Sequence, residues 1–226
     1  MSSRSIIKPS AAVRWLLAGL LAGLPGVIPV ALAAPPPAIV ITDVKLVAMD
    51  TDRVEEGMTV LVRDGRIAAI GPERVLPLPQ DVEVIPGDGG YLLPGLTEMH
   101  AHIPGRSAGE LWLDDVLLLY LANGITTARG MLGEPSHLAL RDAIARHEKL
   151  GPRIYTSGPS LNGNSVDGPE DAARQVREQA AAGYDFVKLH PGLTRDEFDA
   201  IAGAATGAGI PFAGHVSVDV GLDRAL

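Results

Sequence analysis

The chain has 226 residues, 46% of them apolar and 20% charged, with a formal net charge of -8. That length and apolar content suffice for a sizeable core, and the acidic balance, with no basic block or interleaved aromatic and basic residues, argues against a nucleic-acid partner. Cysteine is absent, which excludes disulfides, thiolate ligands and a cysteine nucleophile and leaves nitrogen and oxygen donors for any transition metal, a set that suits zinc.

At the amino terminus, Arg4, Lys8 and Arg14 lead into a mostly apolar stretch from Trp15 to Leu32 that closes on Ala31-Leu32-Ala33. A basic head, an apolar segment and a small-residue cleavage site in that order mark a secretory signal. Residues 1–33 are therefore expected to be a signal peptide cut after Ala33, and the protein to be exported, periplasmic or secreted. The apolar stretch approaches spanning length, but Pro25, Gly26 and Pro29 interrupt it, so no stable membrane anchor is expected. Residues 34–38 are proline-rich and read as a short linker.

From Ile39 the pattern is β. Ile39 to Thr42 and Val44 to Met49 read as strands broken at Asp43, and Met58 to Val62 and Ile67 to Ile70 flank Arg63-Asp64-Gly65-Arg66. Asp-Gly between two β-rich runs predicts a tight hairpin, because both residues tolerate a positive φ. Val82 to Ile85 adds a strand before Gly87-Asp88-Gly89-Gly90. Residues 39–90 are thus expected to form part of a small β-sandwich.

After Tyr91 strands and helices alternate. The strand ending at His100 precedes a helix over Gly109 to Ala122; Ile125 to Arg129 precedes Pro135 to Leu150; Arg153 to Ser157 precedes Pro169 to Ala182. Phe186 to His190 precedes Thr194 to Ala208, and Pro211 to Val216 precedes an incomplete segment, Val220 to Leu226. Helix starts are marked by Asp167-Gly168-Pro169-Glu170 and by Thr194-Arg195-Asp196-Glu197, a capping-box pattern. Gly124, Gly151, Gly183 and Gly209 follow the helical runs, where a left-handed cap is wanted. Such alternation predicts parallel strands with right-handed crossovers, an α/β fold. Five units are present where a closed TIM-type (β/α)8 barrel needs eight, so residues 91–226 are expected to be a partial barrel from the amino-terminal part of a larger enzyme.

The chemistry collects at the strand ends. In Pro94-Gly95-Leu96-Thr97-Glu98-Met99-His100-Ala101-His102 the two histidines are two residues apart, so on a strand both rings lie on one side and can reach one metal ion. Lys188, His190 and His215 lie near the carboxyl ends of later strands, where a parallel α/β barrel gathers its reactive groups. The plainer alternative is hydrogen-bonded histidines that need no metal and a strand-end lysine reaching solvent. His137 and His147 fall in a helical stretch and are read as solvated.

These landmarks resemble the amidohydrolase superfamily, in its branch related to imidazolonepropionase and the barrel-type Xaa-Pro dipeptidases. The resemblance runs from about Ile39 onward through Val62-Arg63-Asp64-Gly65-Arg66-Ile67, the Pro-Gly segment with His100 and His102, Asn123-Gly124-Ile125-Thr126-Thr127, Gly151-Pro152-Arg153-Ile154, Phe186-Val187-Lys188-Leu189-His190 and Gly214-His215-Val216. It implies a metal-dependent hydrolase in which His100 and His102 are the first-strand ligands, Lys188 is carboxylated by carbon dioxide to bridge one or two divalent ions, zinc above all, and His215 is the fifth-strand ligand. The family's sixth-strand histidine and its eighth-strand aspartate, the proton acceptor, have no counterpart before Leu226. His190 and Arg129 are the candidates for substrate contact, although many relatives follow this arginine with aspartate and here Gly130 stands. The expected substrate is a small molecule or dipeptide with an amide or cyclic amide bond. A metal-dependent deaminase on the same scaffold and a non-catalytic fragment are the competing readings, and self-association is left open.

Overall fold

A computed structural model describes residues 38–105, 107 and 109–226. The expected signal peptide, and all of the expected linker except Ala38, lie outside the described residues. No helix among those described is long and apolar enough to cross a membrane. The described residues divide into two compact units, one comprising residues 38–46 with Glu55–Tyr91, the other Val47–Val54 with residues from Leu92 onward.

The first unit is a sheet of β1 (Ala38–Leu46), β2 (Glu55–Arg63), β3 (Arg66–Pro72) and β4 (Val82–Pro86) in the order β3-β2-β1-β4, with the two-residue β5 (Tyr91–Leu92) pairing β1. β2 and β3 are joined at Asp64 and Gly65, whose φ values of 52° and 68° are those the Asp-Gly hairpin requires. Asp43, expected to break the first strand, instead takes φ 49° inside one continuous β1. The pairing of β1 with β2 shifts register there, as a bulge does. β4 runs parallel to β1 with Val40 opposite Val84. Ala38, Val40 and Leu61 form the buried centre of the face on which Ala69, Leu76 and Val82 pack. The expected β-sandwich portion is therefore seen as one five-stranded sheet, and no second sheet stacks on it among the described residues of this unit.

In the second unit, strands and helices alternate as the sequence predicts: β6 (Leu96–Ala101), α1 (Glu110–Ala122), β7 (Ile125–Gly130), α2 (Ser136–Ala145), β8 (Arg153–Thr156), α3 (Gly168–Ala182), β9 (Val187–Leu189), α4 (Arg195–Ala208), β10 (Phe212–Gly214) and the short α5 (Leu222–Ala225). All pairings are parallel, yet the five strands fall into two sheets, β6-β7-β8 and β9-β10. Among the described residues, two isolated parallel bridges, Ser157↔Phe186 and Leu161↔Leu189, continue the order between them. The expected five-strand arc of a partial barrel is thus split after β8, and neither sheet is closed.

Two cores follow from this split. Ala101, Ile103, Ala128 and Ile154 from the first sheet pack with Leu117 of α1 and Leu140 and Ile144 of α2. Val187 and Leu189 pack with Ala172 and Val176 of α3 and Phe198, Ile201 and Ala205 of α4. α4 begins with the expected capping box: the Thr194 hydroxyl accepts the Glu197 N–H at 3.3 Å and the Glu197 carboxylate accepts the Thr194 N–H at 2.8 Å. Gly183 and Gly209 close α3 and α4 with φ 85° and 66°. α2 stops at Ala145, short of the expected Leu150, and the left-handed residue after it is His147 at φ 59°, not Gly151. Histidine is one of the few side chains that occupy this region with any frequency.

Candidate metal centre

Strand parity decides which side chains meet. Ala101 and Ile103, Ala128, Ile154, Val187 and Leu189 all turn into the helix-packed cores. Their neighbours along each strand must point the opposite way. That places His100 and His102 from the β6 segment, Arg129 from β7, Tyr155 from β8, and Lys188 and His190 from the β9 segment on the side away from the helices.

The imidazoles come together as two pairs. The rings of His100 and His102 have centroids 5.3 Å apart, and those of His190 and His215 are 5.0 Å apart. His215 arrives there because Gly214 lets β10 close on β9. At φ 151° a Cβ on Gly214 would lie 2.1 Å from the Leu189 carbonyl oxygen, so only glycine fits. The His215 N–H then donates to that same carbonyl at 3.0 Å.

Lys188 is the anomaly. It is 1% exposed, and no carboxylate forms an ion pair with it among the described residues. Desolvation, and then the positive charge of Arg129, hold its pKa below the ordinary lysine value. Both act against the ammonium and favour the neutral amine. Arg129 itself lies with its guanidinium 4.6 Å from the centroid of the Phe186 ring, a cation–π contact.

The same basic field reaches the histidines. His100 is held below its ordinary value by desolvation and then by Lys188, His102 and His215, with Glu98 acting in the opposite sense. His190 is lowered by desolvation, then by Lys188, His215, His102 and His100. Lowering favours the neutral imidazole, the form whose lone pair a metal ion needs. Glu98 also accepts the His100 N–H at 2.7 Å. His190 Nδ1 lies 3.0 Å from the Ser160 hydroxyl.

A nitrogen-rich set beside a buried lysine with no carboxylate partner among the described residues fits the donor chemistry of a divalent transition-metal ion. Among the described residues, no three histidine, aspartate or glutamate side chains converge closely enough to hold an ion by themselves. The candidate set is therefore His100, His102, His215 and Lys188, with His190 beside His215, not a closed triad. Sequence reading missed Ser160, which lies 30 residues from its partner His190. It also misplaced His137, which is 1% exposed. The spacing of His137, Leu140 and Ile144, all buried on α2, was the signal for the apolar face of a helix.

The model of the amidohydrolase family matches residues 91–222. An adenine deaminase of Ruegeria sp. (strain TM1040) is 30% identical over 219 residues, which is 89% of this chain and 35% of that protein. Among solved structures, bottromycin amidohydrolase aligns with a TM-score of 0.67 at 27% identity, over 84% of this chain and 41% of that one. A Xaa-Pro dipeptidase with bound methionine aligns at 0.68 and 20% identity over 80% and 57%, which speaks to the fold alone. The chain spans about a third of the length of the adenine deaminases it matches. The family match takes in more than half of the chain and every candidate ligand, and the chain belongs to the amidohydrolase family.

Proposed function

We propose that this chain carries metal ligands of a metal-dependent amidohydrolase that cleaves an amide, cyclic amide or dipeptide bond with water. The observation that carries the reading is Lys188, a buried lysine with no carboxylate ion pair among the described residues on the strand face that also bears His190 and near the paired histidines. His100, His102, Lys188 and His215 would hold one or two divalent ions, zinc by donor type. Bound there, such ions supply Lewis acidity and bring the pKa of water toward neutrality. The neutral Lys188 amine is the form that adds to carbon dioxide, forming an N–C bond and releasing one proton to solvent; the resulting carbamate replaces a cation with an anionic oxygen donor. Arg129, braced on Phe186, offers its N–H edge to a substrate carboxylate. His190 offers a ring nitrogen to the substrate.

The finer architecture follows the same reading. The five parallel strands are proposed to be the first of an eight-stranded TIM-type barrel, and residues 39–90 part of a small β-sandwich. Residues 1–33 are proposed to direct export to the periplasm or medium.

The resemblance to adenine deaminases favours a second reading, a deaminase that needs one ion and no bridging lysine. Metal uptake with and without bicarbonate separates the two in the full chain and in Lys188→Ala. The hydrolase reading expects uptake that rises with bicarbonate and loses that dependence in the variant. Bicarbonate-independent uptake, equal in both proteins, would sink the carbamate. Binding without turnover of any amide would instead favour a non-catalytic chain.

A further inference from the structure

We infer that Ser160 is a positioning residue for His190: its hydroxyl engages Nδ1 at 3.0 Å and leaves Nε2 as the ring nitrogen presented to substrate. This deepens the reading of His190 as a substrate contact and rests on that reading for its consequence, though not for its geometry.

Ser160 is held from several sides. The residue after it, Leu161, is fully buried and donates its N–H to the Lys188 carbonyl at 2.9 Å, and its carbonyl accepts the His190 N–H at 2.8 Å. The segment thus runs as a short parallel neighbour of β9, bridged at Leu161 and Leu189. On the other side, Pro159 is tied through its carbonyl to the side-chain amide of buried Gln179 at 2.8 Å. The Ser160 carbonyl accepts from the Ser165 hydroxyl at 3.0 Å and the Asn162 amide at 3.4 Å. With the backbone fixed at each end, the hydroxyl meets the imidazole without first ordering a loop, and a preorganised partner fixes the ring orientation, the hydroxyl being able to donate to or accept from Nδ1. His190 then faces the space it shares with His215, 5.0 Å away between ring centroids.

The test is imidazole nitrogen–proton correlation NMR on the full chain at pH 8 without metal, with His190 assigned by its loss in His190→Gln. Wild type is expected to show His190 in a single tautomer with Nδ1 shifted by its hydrogen bond. Ser160→Ala should give the averaged shifts of a freely exchanging imidazole, and Ser160→Thr, which keeps the hydroxyl, should restore the wild-type pattern. An unchanged His190 pattern in Ser160→Ala, or averaged shifts in wild type, would overturn the inference. Because wild type alone can do so, the test survives a Ser160→Ala variant that does not fold. Adding zinc afterwards probes the metal centre separately. If His100, His102 and His215 do not respond while the Ser160 effect stands, the metal-centre reading fails and the coupling of Ser160 to His190 remains.

Discussion

Around Lys188, β9 is covered by two helices that bury Val176, Phe198, Ile201 and Ala205, whereas α1, the helix that follows the His100 and His102 segment, buries one residue of its thirteen, Leu117. α4 opens with a complete capping box, and α1 opens at Gly109 with no side-chain cap. The edge strands differ in the same way: Leu96 and Met99 of β6 are both more than half exposed, while Val187, Lys188 and Leu189 of β9 are all buried. One half of the candidate ligand set is thus fixed by a packed core. The other half rides on a strand with an open edge and a helix whose apolar residues Leu111, Trp112, Leu118 and Leu119 face outward. Position within the site and rigidity of the site are separate properties, and this chain supplies the second unevenly.

Core truncation should expose that unevenness most strongly. Ile201 is fully buried between β9 and the helices, so Ile201→Ala should lower unfolding free energy by about 2–5 kcal/mol through lost burial and the cavity left behind. Leu119 is 58% exposed on α1, and Leu119→Ala should change it by no more than about 0.5 kcal/mol. Paired denaturant titrations of the two variants read the difference directly. A cost at Leu119 that rivals the cost at Ile201 would break the comparison and show that the outer face of α1 is covered in solution.

What the sequence could reveal here is local. The Asp64-Gly65 hairpin, the Thr194 to Glu197 box and the succession of five strands with their helices are written in neighbouring residues, and the structure has them. The shared face of His100 and His102 also follows from spacing alone. The break between β8 and β9 does not, because pairing of parallel strands is decided by crossovers and packing far along the chain. Nor does the burial of Lys188: composition rules place lysine outside, and only the parity of Val187 and Leu189 on a core-facing strand points it inward. Arg129 over Phe186 and Ser160 against His190 join different βα units, 57 and 30 residues apart, beyond any window of periodicity. His137 was legible but misread, because its polarity was given more weight than its register with Leu140 and Ile144.

A smaller effect should separate the two helices at their starts. Thr194→Ala removes the hydroxyl that accepts the Glu197 N–H and should cost about 1 kcal/mol, the usual worth of such a cap. Thr194→Ser should recover most of it. α1 offers no equivalent contact to delete, and Gly109, at φ 94°, cannot take a capping side chain without strain. If Thr194→Ala leaves the denaturation midpoint unmoved, the better order of the β9 flank must come from its core alone, which sharpens the comparison instead of abolishing it.

The smallest expected effect is a pH dependence in the same flank. In the first turn of α3, Asp171 accepts the Asp167 N–H at 3.1 Å, pairs with Arg174 and accepts from Gln175 Nε2 at 2.7 Å. These bonds, led by the Asp167 N–H, hold its carboxyl below the ordinary value. A carboxylate depressed in the folded state binds fewer protons than in the unfolded chain, so its contribution is fully present above the unfolded value of about 3.9. It is lost as pH falls through the lower folded value. Asp171→Asn should therefore flatten a small part of the acid limb of stability against pH and leave the neutral plateau nearly unchanged, since the group is solvent-screened. An acid limb of unchanged slope in the variant would show that Asp171 titrates alike in both states, and that the order of α3 rests on Ala172 and Val176 in the core rather than on its polar first turn.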